Sequence, residues 1–144
     1  MSLFRDTIDN AKQRTMMEAL WGGDEAAASK AVSDLLWKTI SYNDYHEDYY
    51  HAFLAGIFTG LGYEVESNKE KGLGRPDILL KDDDNRRAII IEAKKSASRA
   101  DMEADCGRTL EQIDTRKYAE GLYGYTQVLC YGIAFFQKEA LVRS

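Results

Sequence analysis

Asp77, Glu92 and Lys94 are the residues of this chain best placed by type and spacing to do chemistry. They lie in Arg75-Pro76-Asp77-Ile78-Leu79-Leu80 and, after a polar break, in Ala88-Ile89-Ile90-Ile91-Glu92-Ala93-Lys94. Each apolar run reads as a strand, and Asp82 to Arg87 supplies the turn between them, so the two runs form one hairpin. Glu92 and Lys94 are two residues apart, and side chains at that spacing leave the same face of a strand. The β-branched run ahead of them suits a buried strand, so its end carries two like-facing charges that need an explanation. Asp77, behind a proline at the head of the partner strand, can reach the same place. Two carboxylates and an ammonium make a site for a divalent cation with an activating positive charge beside it. An ordinary ion pair at a strand end is the plainer alternative for Glu92 and Lys94, and a turn residue the plainer one for Asp77.

Periodicity places the elements that must hold these residues. Leu3, Phe4, Ile8, Ala11, Met16 and Leu20 predict a helix over about 3–20; beyond Trp21-Gly22-Gly23 a second helix starts after Asp24, a suitable N-cap, and packs through Ala28, Val32, Leu35 and Leu36. A third helix is predicted from Asp44 to Leu61, where Tyr50, Phe53, Leu54, Ile57, Phe58 and Leu61 recur at three- and four-residue spacing, and Gly62 ends it. One turn back along that apolar face stands Glu47, a carboxylate on the buried side that requires a partner, although acids also favour first helical turns. After Gly62 the period changes to two: Tyr63, Val65 and Ser67 alternate with Glu64 and Glu66 as in a half-exposed strand, and Asn68 to Gly74 reads as a flexible loop. The hairpin follows, then a helix from about Arg99 to Glu120 with Met102, Cys106, Leu110 and Ile113 at helical spacing. A strand over Val128 to Ala134 and a short one near Glu139 to Val142 complete the chain. The resulting class is α/β: a mixed sheet in the order helix-strand-strand-strand-helix-strand over 41–144, with residues 1–40 an N-terminal helical segment packed on that core.

The chain of 144 residues with 44% hydrophobic content suffices for one domain with a real core. A single proline and the absence of repeats or Ser/Gly-rich stretches leave no linker. Two cysteines, Cys106 and Cys130, are too few for a disulfide framework and lack metal-ligand spacing, which fits free thiols in a reducing compartment. No apolar run approaches the ~18 residues of a membrane span, and no leader opens the chain, so the expected location is the cytoplasm, away from any membrane. A net charge of −5 and a pI near 5.1 lack the global basic footprint of a nonspecific nucleic-acid binder. Much of that acidity is local, at Asp82-Asp83-Asp84 in the turn and at Asp101, Glu103 and Asp105 around a helix start, where carboxylates complement the dipole. Lys69, Lys71 and Arg75 precede the first site carboxylate, and Lys94, Lys95 and Arg99 follow the second, so a small basic rim can surround an acidic pocket.

Pro76-Asp77, Glu92-Ala93-Lys94 at the end of a hydrophobic strand, and Glu47 on the helix before them together resemble the PD-(D/E)xK nuclease superfamily, with its restriction-endonuclease-like fold. The stretches His46-Glu47-Asp48-Tyr49-Tyr50-His51, Gly72-Leu73-Gly74-Arg75-Pro76-Asp77, Leu110-Glu111-Gln112-Ile113 with Lys117-Tyr118-Ala119, and Tyr131-Gly132-Ile133-Ala134-Phe135-Phe136 look like the nuclease-like domain at the C-terminus of a bacterial AAA-ATPase-like family. The resemblance runs from about residue 20 to the end. It implies that Asp77 and Glu92 ligate Mg²⁺ or Mn²⁺ with the backbone carbonyl of Ala93, that Glu47 joins them directly or through water, and that Lys94 orients or deprotonates the attacking water. It also implies a supporting role for Gln112, on the lysine or a phosphate, and a backbone-phosphate contact from Lys117, with Arg75 and Lys95 of the basic rim as further nucleic-acid contacts. Arg116 stands where the closest relatives carry lysine, which keeps the charge and alters its geometry. His46 and His51 are read as packing or rim residues, because imidazole suits zinc or iron better than an oxygen-rich site. The function implied is a metal-dependent nuclease hydrolysing phosphodiester bonds, with DNA the expected substrate. A non-catalytic nucleic-acid or protein binding module on the same fold is the alternative, as part of an ATPase-linked assembly. Nothing in the chain resembles a phosphate-binding loop, so the expected partners are nucleic acid, an ATPase module in cis or trans, and a second copy of the chain.

Overall fold

The computed structural model describes residues 3–38, 46–68, 76–113 and 122–144. In chain order the elements are α1 (Leu3–Gly22), α2 (Glu25–Lys38), α3 (Glu47–Gly60), β1 (Glu64–Ser67), β2 (Ile78–Asp82), β3 (Arg87–Lys95), α4 (Met102–Gln112), β4 (Gln127–Phe136) and β5 (Glu139–Arg143). Strand β3 runs through the centre because residues 88–93 are buried whichever face they point to, the signature of a strand covered on both sides. The sheet order is β1-β2-β3-β4-β5. All neighbouring pairs are antiparallel except β3 and β4, which run parallel and are joined through α4.

Alternation along β3 sorts the core into two layers. Ile89, Ile91 and Ala93 join the main cluster with Tyr50, Leu54 and Phe58 of α3 and Leu20 of α1, whereas Ala88 and Ile90 pack with Leu79 and Ile113 on the other side. Burying each such isoleucine contributes roughly 1.5–3 kcal/mol, so the three consecutive isoleucines Ile89, Ile90 and Ile91 hold β3 in one register. A one-residue slip would turn Glu92 into the main cluster and carry Ile91 to the opposite face.

The two N-terminal helices cover one side and one edge. Asp24 caps α2, accepting from the Ala27 N–H at 3.1 Å. Ser29 and Ser33 of α2 then accept the outward N–H groups of Val142 and Ala140 at 2.8 and 2.9 Å, which satisfies an edge strand otherwise open to pairing with another chain. Tyr131 of β4 donates its hydroxyl to the Leu20 carbonyl of α1 in the interior.

Two elements depart from their expected bounds. The third helix starts at Glu47, behind His46, whose side chain makes no capping bond; residues 44 and 45 lie outside the described residues. The fourth, expected over about 99–120, opens with a single 3-10 turn at Arg99–Asp101 and its described part ends at Gln112, residues 114–120 lying outside the described residues. Ile113 leaves the helix in an extended conformation and buries its side chain among Leu79, Ala88 and Ile90. No described helix is long and apolar enough to cross a membrane.

Candidate active site at the end of the sheet

The turn from Asp82 to Arg87 fixes which residues of the hairpin meet. Arg86 takes a left-handed conformation at φ 51°, and Asp82 Oδ2 accepts from Arg87 Nε at 2.8 Å and from Asn85 Nδ2 at 2.9 Å. With Asp82 opposite Arg87 the ladder closes on Ile78 opposite Ile91, so the next step sets Asp77 beside Glu92. Residues 15 apart in sequence thereby become cross-strand neighbours, at a spacing of roughly 5 Å. Asn68, just past β1, ties down the other side: its N–H bonds the Asp77 carbonyl at 2.9 Å and its Nδ2 the Pro76 carbonyl at 3.0 Å.

Both carboxylates are buried, Asp77 at 4% exposure and Glu92 at 6%. Asp77 Oδ2 accepts the Ala93 N–H at 2.9 Å, and its Oδ1 forms no hydrogen bond among the described residues. The Ser96 N–H reaches Phe135 of β4 at 2.7 Å, so by strand alternation the N–H and the carbonyl of Ala93 both point the other way, toward Asp77. One anchored carboxylate with an open oxygen, a second carboxylate opposite it and a carbonyl on the same side form an oxygen donor set. It fits a hard divalent cation that keeps several waters.

Glu47 is half-buried in the first turn of α3. It is not gathered with Asp77 and Glu92 into a cluster of three ligating side chains, and no such cluster occurs among the described residues. Its helix nonetheless reaches the site through His51, one turn further along the same face. The ring of His51 is 5% exposed, its Nε2 stands 3.6 Å from Asp77 Oδ2, and neither ring nitrogen finds a hydrogen-bond partner among the described residues. His51 is therefore an internal neighbour of Asp77 rather than a rim residue. Its four-residue spacing from Glu47, with Leu54 and Phe58 beyond, is the sequence signal that marks it.

Lys94 leaves β3 on the same face as Glu92, and its ammonium pairs with Asp105 of α4 at 3.6 Å. Asp105 is 3% exposed and accepts the Ser96 hydroxyl at 2.6 Å and Arg108 Nη2 at 2.5 Å. Burial pushes its carboxyl upward, but the Ser96 hydroxyl, Arg108 and Lys94 outweigh that and hold it below the usual carboxylate range. Asp105 was expected only to complement a helix dipole. It shares the apolar side of α4 with Met102 and Thr109, and an acid at such a position was the readable sign of a buried partner. Close helix approach completes the contact: a methyl group added at Gly132, the β4 neighbour of Glu92, would lie 2.8 Å from the Cys106 carbonyl and 2.3 Å from Thr109 Oγ1.

The remaining candidates lie farther out. Gln112 is exposed at the end of α4, which runs back along β3 toward Ile90, so it stands two turns from Asp105, and no hydrogen bond joins it to Lys94 among the described residues. Lys95 is exposed and leaves β3 on the face opposite to Lys94. Arg75, Lys117 and Arg116 lie outside the described residues, as do Lys69 and Lys71. Cys106 and Cys130 are both free thiols.

A mixed sheet flanked by helices, with a carboxylate-carboxylate-lysine set at the end of its central hairpin, defines a restriction-endonuclease-like domain. The chain belongs to the PD-(D/E)XK nuclease superfamily, whose family model matches residues 45–144. The match begins at 45 rather than near 20, so α1 and α2 fall outside it. No curated protein matches the chain.

Proposed function

We propose that this protein is a metal-dependent nuclease that hydrolyses phosphodiester bonds in DNA. The observation that carries the reading is the pairing of two buried carboxylates, Asp77 and Glu92, at the end of the sheet, with Lys94 on the face of Glu92. Asp77, Glu92 and the Ala93 carbonyl would hold Mg²⁺ or Mn²⁺, and Glu47 would reach the shell through water. Such an ion, when bound, lowers the pKa of a coordinated water and offsets charge developing on the phosphoryl oxygens. Lys94 orients the attacking water, its flexible stem letting the ammonium follow the substrate. Asp77 keeps its orientation through the Ala93 N–H. With a net charge of −5 the domain offers little basic surface for gripping DNA, so a second copy or an ATPase module would supply part of the grip.

The test is cleavage of supercoiled plasmid, linear duplex and single-stranded DNA in Mg²⁺ or Mn²⁺, with EDTA controls and the variants Asp77→Ala and Lys94→Ala. Expected is cleavage that requires the metal and falls about 10²-fold or more in either variant. Binding of DNA without cleavage of any substrate, or variants that cut as fast as the parent, would instead assign the fold a binding role.

A further inference from the structure

Lys94 presents a problem that the site must solve before any substrate arrives. It is two residues from Glu92 on the same strand face, about 7 Å along the strand, and a lysine stem can fold back over that distance. Its side chain is 45% exposed and so is not fixed by packing. An ammonium that settled between Asp77 and Glu92 would pair with both carboxylates and occupy the place of a divalent cation. In the structure it does not: the ion pair of Lys94 is with Asp105 of α4. Asp105 is itself immobilised, with Ser96 on Oδ2 and Arg108 on Oδ1, and α4 carries it close to the sheet because Gly132 has no side chain. Both oxygens of Asp105 are engaged, Oδ2 by the Ser96 hydroxyl and Oδ1 by Arg108 with Lys94 beside it, so its charge is balanced by groups of the protein.

We propose that Asp105 is a positioning residue that holds the Lys94 ammonium off Asp77 and Glu92, so that the lysine does not compete with a divalent cation for these carboxylates. This rests on the metal-site reading given above. The Ser96–Asp105–Arg108 arrangement acts as a fixed counter-charge outside the ligand set, so Lys94 remains near the reaction centre without competing for it.

The test is a titration of the metal-free full chain with Mn²⁺, followed by the electron paramagnetic resonance of the free ion, which requires no turnover. Asp105→Asn is isosteric and should weaken Mn²⁺ binding about tenfold or more. Adding Lys94→Met to that variant should restore affinity to within about threefold of the parent, because the competing amine is gone. Unchanged affinity in Asp105→Asn, or weakening that persists in the double variant, overturns the proposal. Should Asp105→Asn fail to fold, Lys94→Met alone decides. An amine already held off the site predicts a gain below about threefold, and a gain of about tenfold or more refutes it. Failure of the parent chain to bind Mn²⁺ would sink the metal-site reading itself and Asp105's role with it, an outcome separate from any effect of the variants.

Discussion

Replacing Gly132 by alanine tests how tightly α4 is pressed onto the sheet. The added methyl would stand 2.3 Å from Thr109 Oγ1, 2.8 Å from the Cys106 carbonyl oxygen and 3.1 Å from Leu110 Cγ. The last distance is roughly 0.4 Å inside the ~3.5 Å at which carbon atoms begin to make favourable contact. The Cys106 oxygen belongs to the helix backbone, so it can yield only if α4 moves. Thr109 can rotate, but its hydroxyl donates to the Cys106 carbonyl at 2.8 Å in a buried setting, and rotation gives up that bond. Overpacking costs about 1–3 kcal/mol and the lost hydrogen bond about 1 kcal/mol. A destabilisation of about 2–4 kcal/mol is therefore expected. At roughly 3–4 °C per kcal/mol for a chain of this size, the Tm should fall by about 6–16 °C in a thermal melt followed by far-ultraviolet circular dichroism. Thr109→Ala in the same background should recover only part of the loss, because the Cys106 carbonyl remains in the way. A Gly132→Ala variant within about 0.5 kcal/mol of the parent would refute the close approach, and with it the placement of Asp105 on Lys94.

The held-down carboxyl of Asp105 makes its ionised form a source of native stability. With a folded value below the unfolded one, that contribution is complete above about pH 4 and is lost as the pH falls further. Chemical denaturation from pH 6 to pH 2.5 should show the stability gap between parent and Asp105→Asn narrowing below about pH 4; a gap constant across that range would contradict the assignment. Cys106 is fully buried, and burial lifts its thiol to about 11, so at pH 8 it should react with a thiol-specific reagent only as fast as the protein opens, while the partly buried Cys130 reacts first. A Cys106→Ser variant whose native labelling time course lacks a fast phase present in the parent would overturn that order. Tyr50 donates its hydroxyl to the Gln137 carbonyl at 2.7 Å beneath a stack on Phe135, so Tyr50→Phe should cost about 1 kcal/mol in urea titration. An unchanged midpoint would indicate that water serves the Gln137 carbonyl equally well.

Periodicity within the chain was enough to determine the hairpin, the buried strand that ends in Glu92 and Lys94, the amphipathic third helix and the class of fold. Those features follow from which side chains water expels, and neighbouring residues carry that information. Asp77 facing Glu92 was likewise legible, because a turn of known length converts sequence separation into register. Three pairings were decided only by assembly: His51 with Asp77, Lys94 with Asp105, and Gly132 with the backbone of α4. Each joins residues from different elements, so its distance depends on how helices pack on the two faces of the sheet. The same packing decides which part of α4 meets the lysine: Asp105 in its first turn pairs with Lys94, and Gln112 stands two turns further along the helix. A strand's alternation states which face a side chain takes, but which helix arrives at that face, and at what height, is settled by the shape of the whole core.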